Sequence, residues 1–423
     1  MRSRLVAAAL ALALVLAAAG GLALLRLPRN RPPELAVAPA LRVLVGGALD
    51  TRLIATDADG DPLRWSSAGL PAGAVLEPDG RLRWSPAPDQ AGTFPVTVTV
   101  RDDDGAPAAA RLDLLVRHPP RPDLYVAMGD SVASGHGLEL ADWLGRDPCW
   151  RDADDSYPAR LLDRRLRGPA PNGHGTPALR HLALVACSGH TSTDLVTAPV
   201  DGGPDLPGRP ARMTQLDWAV AANPGLVTVT IGANDLGIGR PGRVVAAGGR
   251  VDDGFVRARL DRLEANLAAA VRRLVDATDA RVIVSTYHDP TAETPQGVDG
   301  CREACFKRAA SAVVAALNAT VRSAAATADP GRVAVADVAG AFRGHGAPNG
   351  RGPDVLRSGD GPLDFPALLG WAGDVHPFCA KGHGGSGRTW VSAADCIHPN
   401  RAGAEAYADA MDGAWRSARW QPA

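Results

Sequence analysis

The stretch Leu124-Tyr125-Val126-Ala127-Met128-Gly129-Asp130-Ser131 places five apolar residues directly ahead of a glycine, an acid and a hydroxyl. A short, continuous apolar run is the pattern of a strand buried on both faces. A serine where such a strand gives way to a loop stands exposed. Similar runs follow at Leu182 to Val185, Leu226 to Ile231, Val282 to Ser285 and Val333 to Ala336. Phe255 to Thr278, Glu303 to Ala326 and Arg401 to Trp415 carry apolar residues at helical spacing. Strands alternating with helices predict a doubly wound, three-layer α/β/α sandwich on a five-stranded parallel sheet. Its functional loops lie at the carboxyl ends of the strands.

Upstream the pattern changes to alternation, as in Phe94-Pro95-Val96-Thr97-Val98-Thr99-Val100 and Arg81-Leu82-Arg83-Trp84. Turn signals at Asp59-Gly60, Asp79-Gly80 and Asp104-Gly105 separate the runs, which predicts a small all-β, Ig-like sandwich over 33–118. The carboxylates of Asp57, Asp59 and Asp61 have the chemistry of Ca²⁺ ligands, although an aspartate-rich turn needs no metal and is the plainer reading. The proline-rich stretch 119–122 reads as a stiff linker into a domain over 123–420. Residues 1–32 begin with Arg2 and Arg4 before an apolar run from Leu5 to Leu25. They read as a signal peptide or a membrane anchor, and either fate implies export.

With 45 basic and 46 acidic residues the formal net charge is −1, so no basic field exists to hold nucleic acid. Six cysteines in an exported chain favour disulfides over metal ligands, and the lack of any Cys-x-x-Cys pair counts against zinc. Fifteen connectivities are open to six cysteines. No metal or organic cofactor is expected.

Ser131 is a poor nucleophile until a base takes its proton. His398 is the candidate base, and Asp395, three residues upstream, is suited to hold one imidazole nitrogen and leave the other for Ser131. Between them lie Gly189, in Cys187-Ser188-Gly189-His190, and Asn234, in Gly232-Ala233-Asn234-Asp235 after a buried strand. Taken singly, each also fits an ordinary turn residue. His136, His190, His345, His376 and His383 sit in glycine-rich or polar loops and read as solvated. Trp143, Trp150, Trp371 and Trp390 read as core or as an acyl-binding wall.

In this order, Ser131, Gly189, Asn234, Asp395 and His398 resemble the SGNH hydrolases, the GDSL family of esterases and lipases, over about the last two-thirds of the chain. The cysteine placement is similar to that of the secreted actinobacterial branch. The resemblance implies Cys149–Cys187, Cys301–Cys305 and Cys379–Cys396 disulfides. It also implies an oxyanion hole made of the Ser131 and Gly189 amides and the Asn234 side chain. Asp57-Ala58-Asp59-Gly60-Asp61 and Leu70-Pro71-Ala72-Gly73 resemble cadherin-like or Ig-like modules of bacterial surface proteins, which bind envelope or extracellular ligands.

The expected function is a serine carboxylic-ester hydrolase acting on acyl esters. It would be secreted or anchored on the outer face of the cytoplasmic membrane. Deacetylation of an envelope polysaccharide is the rival within the family, and a non-catalytic adhesion or scaffold protein is the rival from another class.

Overall fold

The computed structural model describes residues 30–136, 138, 147–166, 178–201, 206, 212–237, 244–246, 250–289, 302–343, 398–399 and 401–421, the side chains of 165 and 302–307 excepted. The expected leader lies almost wholly outside them. The chain divides into two compact units, one built from residues up to Pro86 and Phe94–Leu114, the other from Ala87–Thr93 and the residues from Leu115 on.

The first unit carries β1 (Glu34–Ala36), β2 (Ala40–Leu44), β3 (Leu49–Arg52), β4 (Ile54–Thr56), β5 (Arg64–Ala68), β6 (Val75–Leu76), β7 (Arg81–Trp84), β8 (Gly92–Arg101) and β9 (Pro107–Arg117). They form a four-stranded sheet β2-β9-β8-β5, a three-stranded sheet β3-β7-β6 and an antiparallel β1-β4 ribbon. Alternation does the work predicted for it. Val96, Val98 and Val100 are buried while Thr97 between them is exposed, and Trp65, paired with Val100, is buried too. Asp57 Oδ1 accepts from the amides of Asp59, Gly60 and Asp61, and Arg31 pairs with Asp59 at 2.7 Å. The three carboxylates lie within 4.8 Å of one another.

The first strand lying wholly within the second unit is β10 (Arg121–Gly129), which begins inside the proline-rich stretch. Along the chain follow α1 (Ser131–Ser134), α2 (Tyr157–Leu161) with a π-turn at Leu162–Leu166, β11 (His181–Leu184), α3 (Asp194–Thr197), β12 (Pro199–Val200) and β13 (Met213–Thr214). Next come α4 (Gln215–Ala222), β14 (Pro224–Thr230), α5 (Ala233–Leu236), β15 (Val245–Ala246), β16 (Arg250–Val251) and α6 (Asp253–Ala277). The last are β17 (Arg281–Ser285), α7 (Arg302–Ala326), β18 (Val333–Ala336), α8 (Val338–Ala341) and α9 (Arg401–Ser417). Five strands pair in parallel in the order β11-β10-β14-β17-β18, with Ala127 beside Thr228 and Val227 beside Val282. α6 packs with α4 and α7, α9 packs with α2 and α8, and both groups touch β17, which gives three layers.

This order decides where chemistry occurs. The second strand lies on one side of β10 and the third on the other, so winding reverses at β10. The crevice outside the carboxyl end of such a strand is where doubly wound sheets bind ligands. Gly129, Asp130 and Ser131 stand at that end.

The helices start where the sequence provides caps. Thr214 caps α4 by accepting from the Asp217 amide, and Asp252 caps α6 by accepting from the Phe255 amide. α6 buries Leu263, Leu267, Val271 and Leu274, the one-turn spacing of an amphipathic face. α4 also braces β10 along its length. At one end Gln215 bonds Gly129, and at the other the Asn223 carbonyl accepts from the Arg121 amide at 2.8 Å while its side chain donates to the His118 carbonyl at 2.6 Å.

Candidate active site

Gly129 has φ 143° and runs so close to β14 that a Cβ would stand 2.1 Å from the Thr230 carbonyl oxygen. Only glycine fits there. The buried Gln215 carboxamide clasps it, accepting from the Gly129 amide at 2.7 Å and donating to its carbonyl at 2.9 Å. The chain then turns into α1, with Asp130 as N-cap and Ser131 as the first helical residue. Helix starts leave their first amides without intrahelical partners, so the Ser131 N–H is available to an anion.

Asp130 is fully buried. It accepts from the Val132 amide at 3.0 Å and from the Tyr287 hydroxyl. Burial pushes its carboxyl up to about 6, against the pull of the Tyr287 hydroxyl, the Val132 amide and the charge of His398. Burial and the neighbouring Asp130 push the Tyr287 phenol well above its ordinary range. Below the turn, Tyr157 Oη bonds Thr230 Oγ1 at 2.8 Å and Thr230 Oγ1 bonds Ser285 Oγ at 2.7 Å, so these three hydroxyls satisfy one another.

The Gly189 loop comes to the same strand end. The Cys187 amide donates to the Gly129 carbonyl at 3.0 Å, and a disulfide joins Cys187 to Cys149 with Cα atoms 4.2 Å apart. Gly189 has φ 83°, a conformation that favours glycine, and a Cβ there would meet nothing within 4 Å. Asn234, in the first turn of α5, donates its carboxamide to the His190 carbonyl at 3.0 Å. That bond sets the Asn234 side chain beside the residue that follows Gly189.

His398 arrives from the far end of the chain. Its ring is parallel to that of His136, with centroids 4.8 Å apart and planes at 2°. His136 is likewise parallel to Trp150, at 4.6 Å and 5°. The His136 amide donates to the Ser131 carbonyl at 3.1 Å, so the His398 ring stacks on a residue bonded to the turn that carries the serine. Trp150 has φ 53°, a backbone conformation costing about 1–2 kcal/mol for a residue with a Cβ.

The structure thus brings Ser131, Gly189, Asn234 and His398 to one strand end. Asp395 lies outside the described residues, as do the side chains of the expected Cys301–Cys305 and Cys379–Cys396 pairs and the histidines His345, His376 and His383. Trp143, Trp371 and Trp390 lie outside as well. His136 corrects the reading of it as a solvated loop residue, because it packs between aromatic rings and bonds Ser188 Oγ through Nδ1 at 2.7 Å. His190 is half-buried and bonded to Gln215 at 3.1 Å, and burial lowers its imidazole below the ordinary range. Tyr287 and Gln215 carry no signal in the sequence beyond ordinary core chemistry, and Asp130 stands in the motif around Ser131 without a role of its own assigned there.

Comparison with known proteins gives the family. The family model described as GDSL-like Lipase/Acylhydrolase matches residues 125–411, and the Bacterial Ig domain model matches residues 30–114. Among solved structures, the extracellular lipase from Streptomyces rimosus is 21% identical and covers 69% of this chain and 99% of its own, with a TM-score of 0.40. Phospholipase A1 from Streptomyces albidoflavus NA297 is 20% identical over the same shares, with a TM-score of 0.38. Human protocadherin-24 EC1-2 is 22% identical over 24% of this chain and 55% of its own, with a TM-score of 0.19. No curated protein matches the chain. With a bacterial Ig domain ahead of a catalytic domain matched over most of its length, the chain belongs to the GDSL-like lipase/acylhydrolase family and is an ester hydrolase.

Proposed function

We propose that the protein is an exported serine hydrolase that cleaves acyl esters through an acyl-enzyme at Ser131. One observation carries the assignment. The His398 ring is stacked on His136, whose amide bonds the Ser131 carbonyl, and this supports a base from the far end of the chain acting at the carboxyl end of β10. His398 takes the Ser131 proton as Oγ attacks the ester carbonyl. The amides of Ser131 and Gly189 and the Asn234 carboxamide receive the oxyanion, a service whose loss costs about 10²- to 10³-fold in turnover per donor. Collapse expels the alcohol, which takes its proton from His398. Water, deprotonated by the same imidazole, then releases the acid. Asp395 orients the imidazole, and the ionised Asp130 favours its charged form.

Export is supported by the basic and then apolar start of the sequence and by the Cys149–Cys187 disulfide, which suits an oxidising compartment. Lipid acyl esters are the proposed substrates, and the Ig-like unit is proposed to bind an envelope or extracellular ligand. Labelling with an alkyl phosphonate tests the mechanism, because the adduct should form on Ser131 in the wild type and be absent in Ser131→Ala. Labelling that persists in the variant, or a wild type that never labels, would overturn it. Turnover of soluble esters of rising chain length, set against acetylated glycans, tests the substrate. A preference for the glycans would assign polysaccharide deacetylation instead.

A further inference from the structure

His136 performs no step in that mechanism, yet the parts of the site converge on it. Its ring lies parallel to both Trp150 and His398, its Nδ1 bonds Ser188 Oγ, and its amide bonds the Ser131 carbonyl. The two flanking supports share an origin. Trp150 directly follows Cys149 and Ser188 directly follows Cys187, the two halves of the disulfide, and the Ser188 amide donates to the Cys149 carbonyl at 3.0 Å. The disulfide therefore builds a cradle with a tryptophan face on one side and a serine hydroxyl on the other. Trp150 keeps its left-handed backbone in that cradle, the kind of outlier that structures retain where a side chain must be aimed. Next to Ser188 is Gly189, the source of an oxyanion amide.

We propose that His136 is a positioning residue of this site, acting beside Asp395. It fixes the plane of the His398 imidazole by stacking and the placement of the Gly189 amide through Ser188, with the Cys149–Cys187 bridge holding both of its supports. The proposal rests on the assignment of Ser131 and His398 as nucleophile and base. An imidazole free to turn about its side-chain bonds presents its nitrogen to the serine only part of the time. A ring stacked on it in parallel removes that freedom at no cost to the nitrogen's lone pair. Proton transfer and oxyanion binding both depend on such alignment, and a misplacement of about 1 Å costs about 10²-fold.

The test uses the full chain and a soluble short-chain ester. His136→Ala should lower kcat by about 10- to 100-fold with KM within about threefold of wild type. His136→Phe, which keeps the stack and loses the Ser188 bond, should recover most of that loss. Ser188→Ala should account for the remainder. The Cys149→Ala/Cys187→Ala pair should lower kcat by a factor similar to that of His136→Ala, and adding His136→Ala to it should lower kcat no further, because both remove the same support. Wild-type kcat in His136→Ala, a rise in KM alone, or full additivity with the cysteine pair would overturn the proposal. A His136→Phe variant as inactive as His398→Ala would overturn it too, since it would make His136 a proton carrier. Should His136→Ala not fold, the Phe and Ser188→Ala variants carry the test. Activity surviving in Ser131→Ala or His398→Ala would instead refute the underlying assignment.

Discussion

Replacing Asp130 with asparagine separates the charge of that residue from its shape. Burial moves its carboxyl from 3.8 to about 6. Two pK units at ~1.4 kcal/mol each mean that the ionised group costs the folded chain about 3 kcal/mol. The sign follows from counting protons. Between 3.8 and about 6 the folded chain holds a proton that the unfolded chain has released, so stability falls as pH rises through that window. The cost is absent below the window and complete above it. Asparagine keeps an acceptor for the Val132 amide and turns an amide toward the Tyr287 hydroxyl, while carrying no charge. In urea unfolding followed by tryptophan fluorescence, Asp130→Asn should match the wild type near about pH 4 and exceed it by about 3 kcal/mol near about pH 8. The same variant should also lower kcat above neutrality, because the negative charge that couples to His398 is gone. Parallel stability curves for the two proteins across this range would refute the reasoning.

Gly129→Ala must move a strand, since its Cβ would stand 2.1 Å from the Thr230 carbonyl oxygen. A loss of about 3–5 kcal/mol is expected in urea unfolding, and a wild-type midpoint would show that the close approach is dispensable. Asn234→Ala should lower kcat by about 10²- to 10³-fold with KM nearly unchanged, and an unaltered kcat would remove it from the oxyanion hole. The Cys149–Cys187 bridge spans a sequence separation of 38, worth about 4 kcal/mol of loop entropy. Graded reduction should lower turnover by about 10- to 100-fold at lower reductant than circular dichroism needs to show unfolding, whereas coincident curves would uncouple the bridge from the site.

The five central strands were legible because continuous apolar runs need no partner to be recognised. The runs predicted from Leu124, Leu182, Leu226, Val282 and Val333 each fall in a strand of the parallel sheet. The long helices α6, α7 and α9 were legible from their periodicity. Short elements such as α1 and α5 span four residues each, too few to show a period. The serine, the glycine, the asparagine and the histidine could be proposed from sequence because each sits in a compact local motif. Their supports were not, since a support is defined by what it touches. His136 meets Ser188 across 52 positions and Gln215 meets Gly129 across 86. A fully buried aspartate reads in sequence like any turn acid, and only the enclosing Tyr287 reveals it.

Helix α4 grips β10 near both of its ends, at Gly129 through Gln215 and at Arg121 and His118 through Asn223. It works as a splint. A displacement of the chain at His118 is shared between strand and helix, because Asn223 bonds both His118 and Arg121. The same helix holds Gly129 at the other end, so the two ends of the strand are kept in register by one element.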